Sequence, residues 1–217
     1  DAGPTEDTGY QEQPGITAWL EGQVATAPMV GMVGVVVEGS EIVYLKTFGF
    51  ADREAEVPVD GHKTVWRLAS LSKGVTGVIA TRLAQRGEID LNEELPNLEP
   101  EFAKPTHYFP SRCIPDAGRP DANCAIPIPE DSPSLTLYHL LHNYGGIPHY
   151  TNSTRNPKPD VGESDDPEKN TGLRWGLKPL SGLPLMSLPG RAYNYSTFGF
   201  NLAGAAMEAL TGRSFDE

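Results

Sequence analysis

Long apolar runs and basic residues are both scarce in this sequence. No stretch of about 18 or more consecutive apolar residues occurs in its 217 residues, so no transmembrane helix is expected. Lysine and arginine together number 17 against 29 aspartates and glutamates, which gives a formal net charge of -12. This acidic balance argues against nucleic acid and anionic membrane surfaces as partners. No signal peptide is visible at Asp1, so the chain is expected to be either cytosolic or already processed.

Cysteine is scarce too, with 2 residues in the whole sequence. Cys113 and Cys124 bracket a turn-rich segment without apolar periodicity, a pattern that favours a local disulfide in an oxidising compartment. Two free buried thiols are the alternative, but this polar segment offers little burial. The disulfide in turn predicts a secreted or periplasmic protein. Asn152-Ser153-Thr154 is a glycosylation candidate that only a eukaryotic secretory host would use.

The N-terminal part of the chain predicts a tail followed by a β-hairpin. Residues 1–14 are polar and contain Gly and Pro, as is typical of a loose terminus. Residues 28–50 contain two runs rich in β-branched and aromatic residues, Met29–Val37 and Ile42–Phe48. The turn sequence Glu38-Gly39-Ser40 lies between them, so the two runs are expected to pair as antiparallel strands.

Residues 70–217 predict a catalytic helix and a helical lobe within the same domain. Two segments of this part are dense in proline or in polar residues and are predicted to be irregular insertions, 103–134 and 152–190. Short apolar patterns at 135–141 and 198–210 predict two helices between and after these insertions.

Ser70 and Lys73 lie at the start of the strongest helical pattern in the chain. The apolar residues that follow recur with the helical period, with Arg82 as one polar exception: Val75, Val78, Ile79 and Leu83. Gly87 is the expected stop. On such a helix Ser70 and Lys73 are one turn apart and can touch. A serine hydroxyl becomes a nucleophile when a neighbour takes its proton, which Lys73 could do if it is neutral, so this spacing suits acyl transfer with Lys73 as a proton-transfer group. The alternative is a capping serine beside a solvated lysine.

Four stretches in a fixed order resemble a known family. Arg67 to Gly74 is similar to the Ser-x-x-Lys signature of serine β-lactamases and penicillin-binding proteins, closest to the class C β-lactamase-related serine hydrolases. The other three are similar to the opening strand pair, a loop of the Leu-Leu-x-His-x-Ser-Gly-Leu type and the second catalytic motif of that family: 33–52, 140–150 and 189–204. The resemblance implies an α+β fold of the β-lactamase/transpeptidase type, an antiparallel sheet flanked by helices.

The second catalytic motif contains two tyrosines that compete for one role. Alignment on the family places Tyr195 at the catalytic position, where a nearby cation would stabilise its phenolate, and leaves Tyr193 to ordinary packing. The family pattern is Tyr-x-Asn, whereas here Thr197 stands in place of the asparagine. This change favours a peptidase or esterase over a true β-lactamase. The sequence Tyr195-Ser196-Thr197-Phe198-Gly199-Phe200 is most similar to the family branch that contains the mitochondrial β-lactamase-like serine protease.

The resemblance also implies which residues contact an acyl substrate, whether a small molecule or a peptide. Thr197, Tyr144 and Gly145 are the predicted substrate contacts. No cofactor is expected. A metal site is not expected either, because His139, His142 and the later histidine of this loop have no carboxylate or cysteine at ligand spacing.

The third motif of the family, Lys-Thr-Gly or His-x-Gly on a strand, is absent from the sequence. The continuous apolar run Val33–Val37 is typical of a strand with neighbours on both faces, yet the predicted hairpin supplies few such neighbours. We therefore expect this chain to be the N-terminal part of the domain and to pair with a C-terminal fragment of the same precursor. A serine hydrolase and a non-catalytic scaffold remain as functions, and the intact Ser70, Lys73 and Tyr195 favour the hydrolase.

Overall fold

A computed structural model describes residues 10–11, 13–26, 29–95, 105–110, 124–149 and 184–215. The chain divides into two compact units, Asp1–Arg67 and Leu68–Glu217. Several predictions fall outside the described residues: most of the 1–14 tail, most of the 152–190 insertion, Cys113 and Asn152. The disulfide with Cys124 therefore stays a prediction.

The first unit consists of one helix and a three-stranded antiparallel sheet with the order β1-β2-β3. Its elements are α1 (Pro14–Thr26), β1 (Gly31–Glu38), β2 (Glu41–Asp52) and β3 (Val57–Pro58). The hairpin is confirmed, with Glu38 paired to Glu41 around a two-residue loop. Gly39 opens that loop with a φ of 63°, a conformation that glycine adopts without steric cost. The short strand β3 was not predicted.

Helix α1 packs on the β1–β2 sheet through a small apolar cluster. The cluster consists of four buried residues: Leu20, Val24, Tyr44 and Phe48. The side chains of Thr17 and Tyr44 are hydrogen-bonded at 3.0 Å. A Cβ on Gly34 would lie 2.6 Å from Leu20 Cδ1, so glycine at this position of β1 allows the close approach of the helix.

The outer half of β1 differs from the sequence prediction. Val35, Val36 and Val37 are 48%, 37% and 59% exposed, whereas their continuous apolar run predicted a strand covered on both faces. Within the described residues β1 pairs on one side only, with β2. In the described part of the chain these side chains lack the neighbours that the apolar run implies, and a further fragment that would cover them stays a prediction.

The second unit is mainly helical. Its elements are a 3₁₀ turn (Ala69–Leu71), α2 (Ser72–Gln85), β4 (His107–Tyr108), β5 (Ile126–Pro127), α3 (Leu137–Leu141) and α4 (Thr197–Thr211). All three predicted helices are present. The strands β4 and β5 pair antiparallel inside the segment 103–134, which was predicted to be irregular. That prediction was wrong for these four residues, because pairs this short leave no periodic signal.

The core of the second unit is built around α4. Small residues along this helix are fully buried and let neighbouring elements come close: Ala203, Gly204, Ala205 and Ala206. Larger apolar side chains complete the cluster, two from α4 itself (Phe198 and Leu202) and the rest from four other segments: Leu95, Leu135, Leu137, Leu140, Ile147 and Leu185. Among the described residues, no helix is both long enough and apolar enough to cross a membrane.

Helix α2 ends as the sequence predicts but buries a different face. Gly87, with a φ of 71°, and Glu88 donate backbone hydrogen bonds to the last turn of the helix, which is the Schellman arrangement. The buried residues of α2 are Thr76 and Ala80. Val75 and Val78, which belong to the predicted apolar face, are instead 53% and 70% exposed. Small side chains on the buried face allow α2 to approach α4 closely.

Candidate active site

The turn before α2 brings Ser70 and Lys73 together. Ser70 lies in the 3₁₀ turn and Lys73 in the first turn of the helix, so the two side chains project from nearly the same face. Lys73 Nζ donates to Ser70 Oγ at 3.5 Å. The contact follows from local helical geometry, as the spacing predicted.

The residue before Ser70 has an unusual backbone. Ala69 has a φ of 47°, in the left-handed region that non-glycine residues seldom occupy. A conformation of this kind costs on the order of 1–3 kcal/mol and persists where the surrounding structure enforces it. It directs the chain sharply into the turn that carries Ser70.

Tyr195 reaches Ser70 from the start of α4. Ser196 is the N-cap of that helix, and its side chain accepts a hydrogen bond from the Gly199 amide at 2.9 Å. Tyr195 therefore lies just outside the helix, with its hydroxyl 2.6 Å from Ser70 Oγ. Of the two competing tyrosines, the alignment selected the one that touches Ser70.

Lys73 links the two catalytic candidates to Thr197. Its Nζ donates to Thr197 Oγ1 at 3.3 Å and lies 4.9 Å from the centroid of the Tyr195 ring. The hydroxyl of Thr197 therefore contacts the lysine directly. Whether Thr197 also contacts a substrate stays a prediction.

The charge of Lys73 affects the acidity of Tyr195. Hydrogen bonding to Lys73, and then to Ser70, lowers the pKa of the Tyr195 phenol from its usual value. The ring is 37% exposed, so solvent screens part of this interaction. The effect favours the phenolate, which is the form that can accept a proton from Ser70.

His149 is a member of the site that sequence reasoning missed. Its Nδ1 accepts a hydrogen bond from the Thr197 amide at 3.3 Å, and its ring meets the Tyr195 ring edge-on at 5.3 Å between centroids. Partial burial, with the nearby Lys73 charge, lowers the pKa of the imidazole. The shift favours the neutral imidazole. Nothing in its sequence context distinguished it from an ordinary loop histidine.

Asn143 was missed as well. It lies two residues beyond the last residue of α3, and its Oδ1 accepts a hydrogen bond from the Ser196 amide at 2.9 Å. Asparagine is a residue that can end a helix in the left-handed conformation, and its position just after the predicted helix was visible in the sequence.

The other two predicted substrate contacts lie close to Asn143 in the chain. The Tyr144 ring packs edge-on against Tyr193, with 6.1 Å between centroids, and both rings are partly exposed. Gly145 is buried, and a Cβ there would lie 2.9 Å from Leu135 Cδ1. Gly145 thus faces the core, while Tyr144 is open to solvent. Among the described residues, no group of His, Cys, Asp and Glu is arranged to hold a metal ion.

Three known proteins similar to this chain share its motifs or its fold. Esterase EstB of Burkholderia gladioli is 29% identical over 187 residues, which cover 85% of this chain and 42% of EstB. The human serine beta-lactamase-like protein LACTB, mitochondrial, is 25% identical over 236 residues, covering 83% of this chain and 39% of LACTB. The structure of EstCE1, a hydrolase with promiscuous acyltransferase activity, superposes with a TM-score of 0.69 at 21% identity, covering 92% of this chain and 47% of EstCE1.

The chain spans less than half the length of each of these proteins. The fold that EstCE1 shares with it confirms the predicted α+β architecture of the β-lactamase/transpeptidase type. The family model named Beta-lactamase matches residues 16–217, nearly the whole chain. On this match, and on the order of its motifs, the chain belongs to the beta-lactamase family.

Proposed function

We propose that this protein is a serine hydrolase that cleaves an ester or amide through an acyl-enzyme on Ser70. The observation that carries the proposal is the three-way contact at Ser70. Tyr195 OH lies 2.6 Å from its Oγ, and Lys73 Nζ lies 3.5 Å from the same atom. A nucleophile that contacts both a base and a cation has the arrangement that covalent catalysis needs.

In the proposed mechanism Tyr195 is the general base and then the general acid. Its phenolate, stabilised by Lys73, takes the proton of Ser70 as Oγ attacks the substrate carbonyl. The tetrahedral intermediate collapses when the Tyr195 phenol returns this proton to the leaving alcohol or amine. Water then attacks the acyl-enzyme while Tyr195 takes its proton; the bond between the acyl carbon and Ser70 Oγ breaks, Tyr195 returns the proton to Oγ, and the acid is released.

The developing oxyanion requires hydrogen-bond donors. We propose the backbone amide of Ser70 as one donor and an amide from a further strand, outside this chain, as the other. That strand belongs to the third motif of the family, which this sequence lacks. The proposal thus includes a partner, a C-terminal fragment of the same precursor that completes the sheet beside β1.

Esters and peptides are favoured over β-lactams as substrates. Thr197 holds Lys73 through a hydroxyl at 3.3 Å and has no side-chain amide to donate to a substrate carbonyl. The similarity to esterase EstB supports the same choice. We also propose that the protein is secreted or periplasmic, with a Cys113–Cys124 disulfide. Chemical modification of free thiols, with and without reduction, tests that part.

Covalent labelling tests the function directly. A fluorophosphonate probe, followed by mass spectrometry of the digested full-length protein, is expected to modify Ser70 and no other serine. Ser70→Ala should abolish labelling and the hydrolysis of p-nitrophenyl acetate, whereas the matched control Ser72→Ala should retain both. A wild-type protein that neither labels nor hydrolyses any ester or amide offered would instead support the non-catalytic scaffold.

A further inference from the structure

The segment that carries Tyr195 is hydrogen-bonded to Asn143 on both sides of the tyrosine. The Asn194 amide donates to the Asn143 carbonyl oxygen at 2.7 Å. The Ser196 amide donates to Asn143 Oδ1 at 2.9 Å. One residue therefore binds the backbone immediately before and immediately after Tyr195.

Asn143 is suited to this double contact by its place at the end of α3. Its φ is 57°, and its amide donates to Leu140 O while the Tyr144 amide donates to His139 O, which is the Schellman arrangement. Asparagine is one of the few residues besides glycine that adopts this backbone readily. Glycine would fit the conformation equally well, but it has no Oδ1. The choice of asparagine here thus provides both the backbone turn and the acceptor.

Two further contacts continue the attachment along the loop that follows α3. Ser196 Oγ donates to the Pro148 carbonyl at 3.1 Å, and the Thr197 amide donates to His149 Nδ1 at 3.3 Å. Residues 194–197 are thus bound to residues 143–149 at four points. Because the tyrosine side chain is long, a small tilt of this backbone segment displaces the Tyr195 hydroxyl by a larger distance.

We propose that Asn143 is a positioning residue for Tyr195: by binding the backbone on either side of the tyrosine, it holds the phenol oxygen at hydrogen-bond distance from Ser70 Oγ. The inference rests on the proposed function. Misplacement of a catalytic group by about 1 Å can lower a rate about 100-fold, so even a small tilt has a measurable effect.

A displaced phenol would also titrate differently. Among the described residues, the charged or titratable side chains that face Tyr195 are Lys73 and His149. The hydrogen bonds with Lys73 and Ser70 are the leading causes of the lowered Tyr195 pKa. If the phenol moves away from them, its pKa rises toward the usual value. The acidic limb of the rate profile then moves to higher pH, which a general loss of stability would not produce.

Three variants of the full-length protein separate these effects. Asn143→Gly keeps the left-handed backbone and removes Oδ1, whereas Asn143→Asp keeps both. Ser187→Ala is the matched control, because it removes a hydrogen bond to the side chain of Asn194, 3.1 Å long, without touching the backbone around Tyr195. The measurements are kcat, KM and the pH profile for p-nitrophenyl acetate, well below each melting temperature.

We expect Asn143→Gly to lower kcat at the high-pH plateau by about 10- to 100-fold, with little change in KM and an acidic limb shifted to higher pH. Asn143→Asp and Ser187→Ala should keep a plateau kcat close to that of the wild type. If the glycine variant does not fold, Asn143→Ser replaces it, because the serine side chain is too short to reach the Ser196 amide.

Two results would overturn the inference. One is a wild-type plateau kcat and pH profile in Asn143→Gly, or in Asn143→Ser where that replaces it. The other is an aspartate variant as impaired as the variant without the acceptor. Both require an active wild-type protein. All variants are therefore prepared with the proposed C-terminal fragment present, and a wild type that is inactive in that assembly would refute the proposed function itself, and the positioning role with it.

Discussion

At the scale of single residues, the site depends on one cation shared by two oxygens. Lys73 contacts Ser70 Oγ and Thr197 Oγ1 and lies over the Tyr195 ring. Its positive charge can therefore stabilise a negative charge on either Ser70 Oγ or the Tyr195 phenol oxygen as the proton moves between them. These side chains contact one another, so a substitution at one changes the environment of the others. The effects of substitutions in this group are therefore not expected to be additive.

The choice of Tyr195 over Tyr193 is testable with a matched pair. Tyr195→Phe removes the hydroxyl that contacts Ser70 Oγ and should lower kcat by about 100- to 10,000-fold, the usual contribution of positioned proton transfer. Tyr193→Phe removes a hydroxyl from a ring that packs on Tyr144 and should have a much smaller effect. Steady-state kinetics on one ester decides, and a larger loss in Tyr193→Phe would reverse the assignment.

The lowered Tyr195 pKa predicts the direction of the pH dependence. In the proposed mechanism the base is the Tyr195 phenolate, so activity should rise as pH increases through a pKa below the usual tyrosine value. Lys73→Met removes the leading cause of that shift. It should therefore move the acidic limb of kcat/KM to higher pH and lower the rate at neutral pH. The control is Lys63→Met, which changes net charge equally at an exposed ion pair with Asp60. An unmoved limb in Lys73→Met would contradict the assignment of the base.

At the scale of elements, two helix ends determine where the site residues lie. The N-cap Ser196 begins α4 so that Tyr195 lies just outside it and Thr197 in its first turn. The left-handed Asn143 ends α3 and directs the following loop toward the start of α4. Caps are local features, but these two contact each other. The positions of these two helix ends therefore determine where Tyr195 lies relative to Ser70.

A pair of glycines tests the close packing of the loop after α3. Gly146 and Gly212 share a φ of 68°, so alanine at either position incurs a similar backbone cost of about 1 kcal/mol. A Cβ at Gly146 would also lie 2.1 Å from Ser187 O, whereas nothing lies within 4 Å of one at Gly212. Thermal unfolding should show a much larger loss for Gly146→Ala. Equal losses of stability in the two variants would mean that the loop around Gly146 moves to accommodate the added Cβ without cost.

At the scale of the whole molecule, apolar surface remains exposed in both units. Val35 and Val37 of β1 and Val75 and Val78 of α2 are all about half exposed or more. The chain also spans less than half of each relative described above. Among the described residues β1 pairs on one side only, and exposed apolar side chains on such a strand favour association with a partner.

Expression of the chain with and without a partner tests the proposed C-terminal fragment. Residues 1–217 alone should be insoluble or inactive, because the exposed apolar faces have no cover. Co-expression with the remainder of the precursor should restore a soluble and active protein. Size-exclusion chromatography with an ester assay distinguishes the two outcomes. A monodisperse and active preparation of 1–217 alone would contradict this proposal.

Local sequence determined much of the site and its supporting elements. The contact of Ser70 with Lys73, the stop at Gly87 and the hairpin around Gly39 each depend on residues within a few positions of one another. Helical period, turn chemistry and capping govern such contacts, and all three can be recognised in a sequence. The choice of Tyr195 required the family resemblance in addition, because periodicity does not separate it from Tyr193.

Only the tertiary structure determined which residues that are far apart in the sequence contact each other. Tyr195 is 125 positions from Ser70 and 46 from His149, and Asn143 is 53 from Ser196. No periodic signal couples such positions, so the contacts of Asn143 with Ser196 and of His149 with Tyr195 are seen only in the folded structure. Packing also decided which face of α2 is buried, because small side chains such as Ala80 allow a close helix contact that bulkier apolar residues prevent. A hydrophobic pattern shows that a helix has an apolar face, but the shape of its neighbours determines which face they cover.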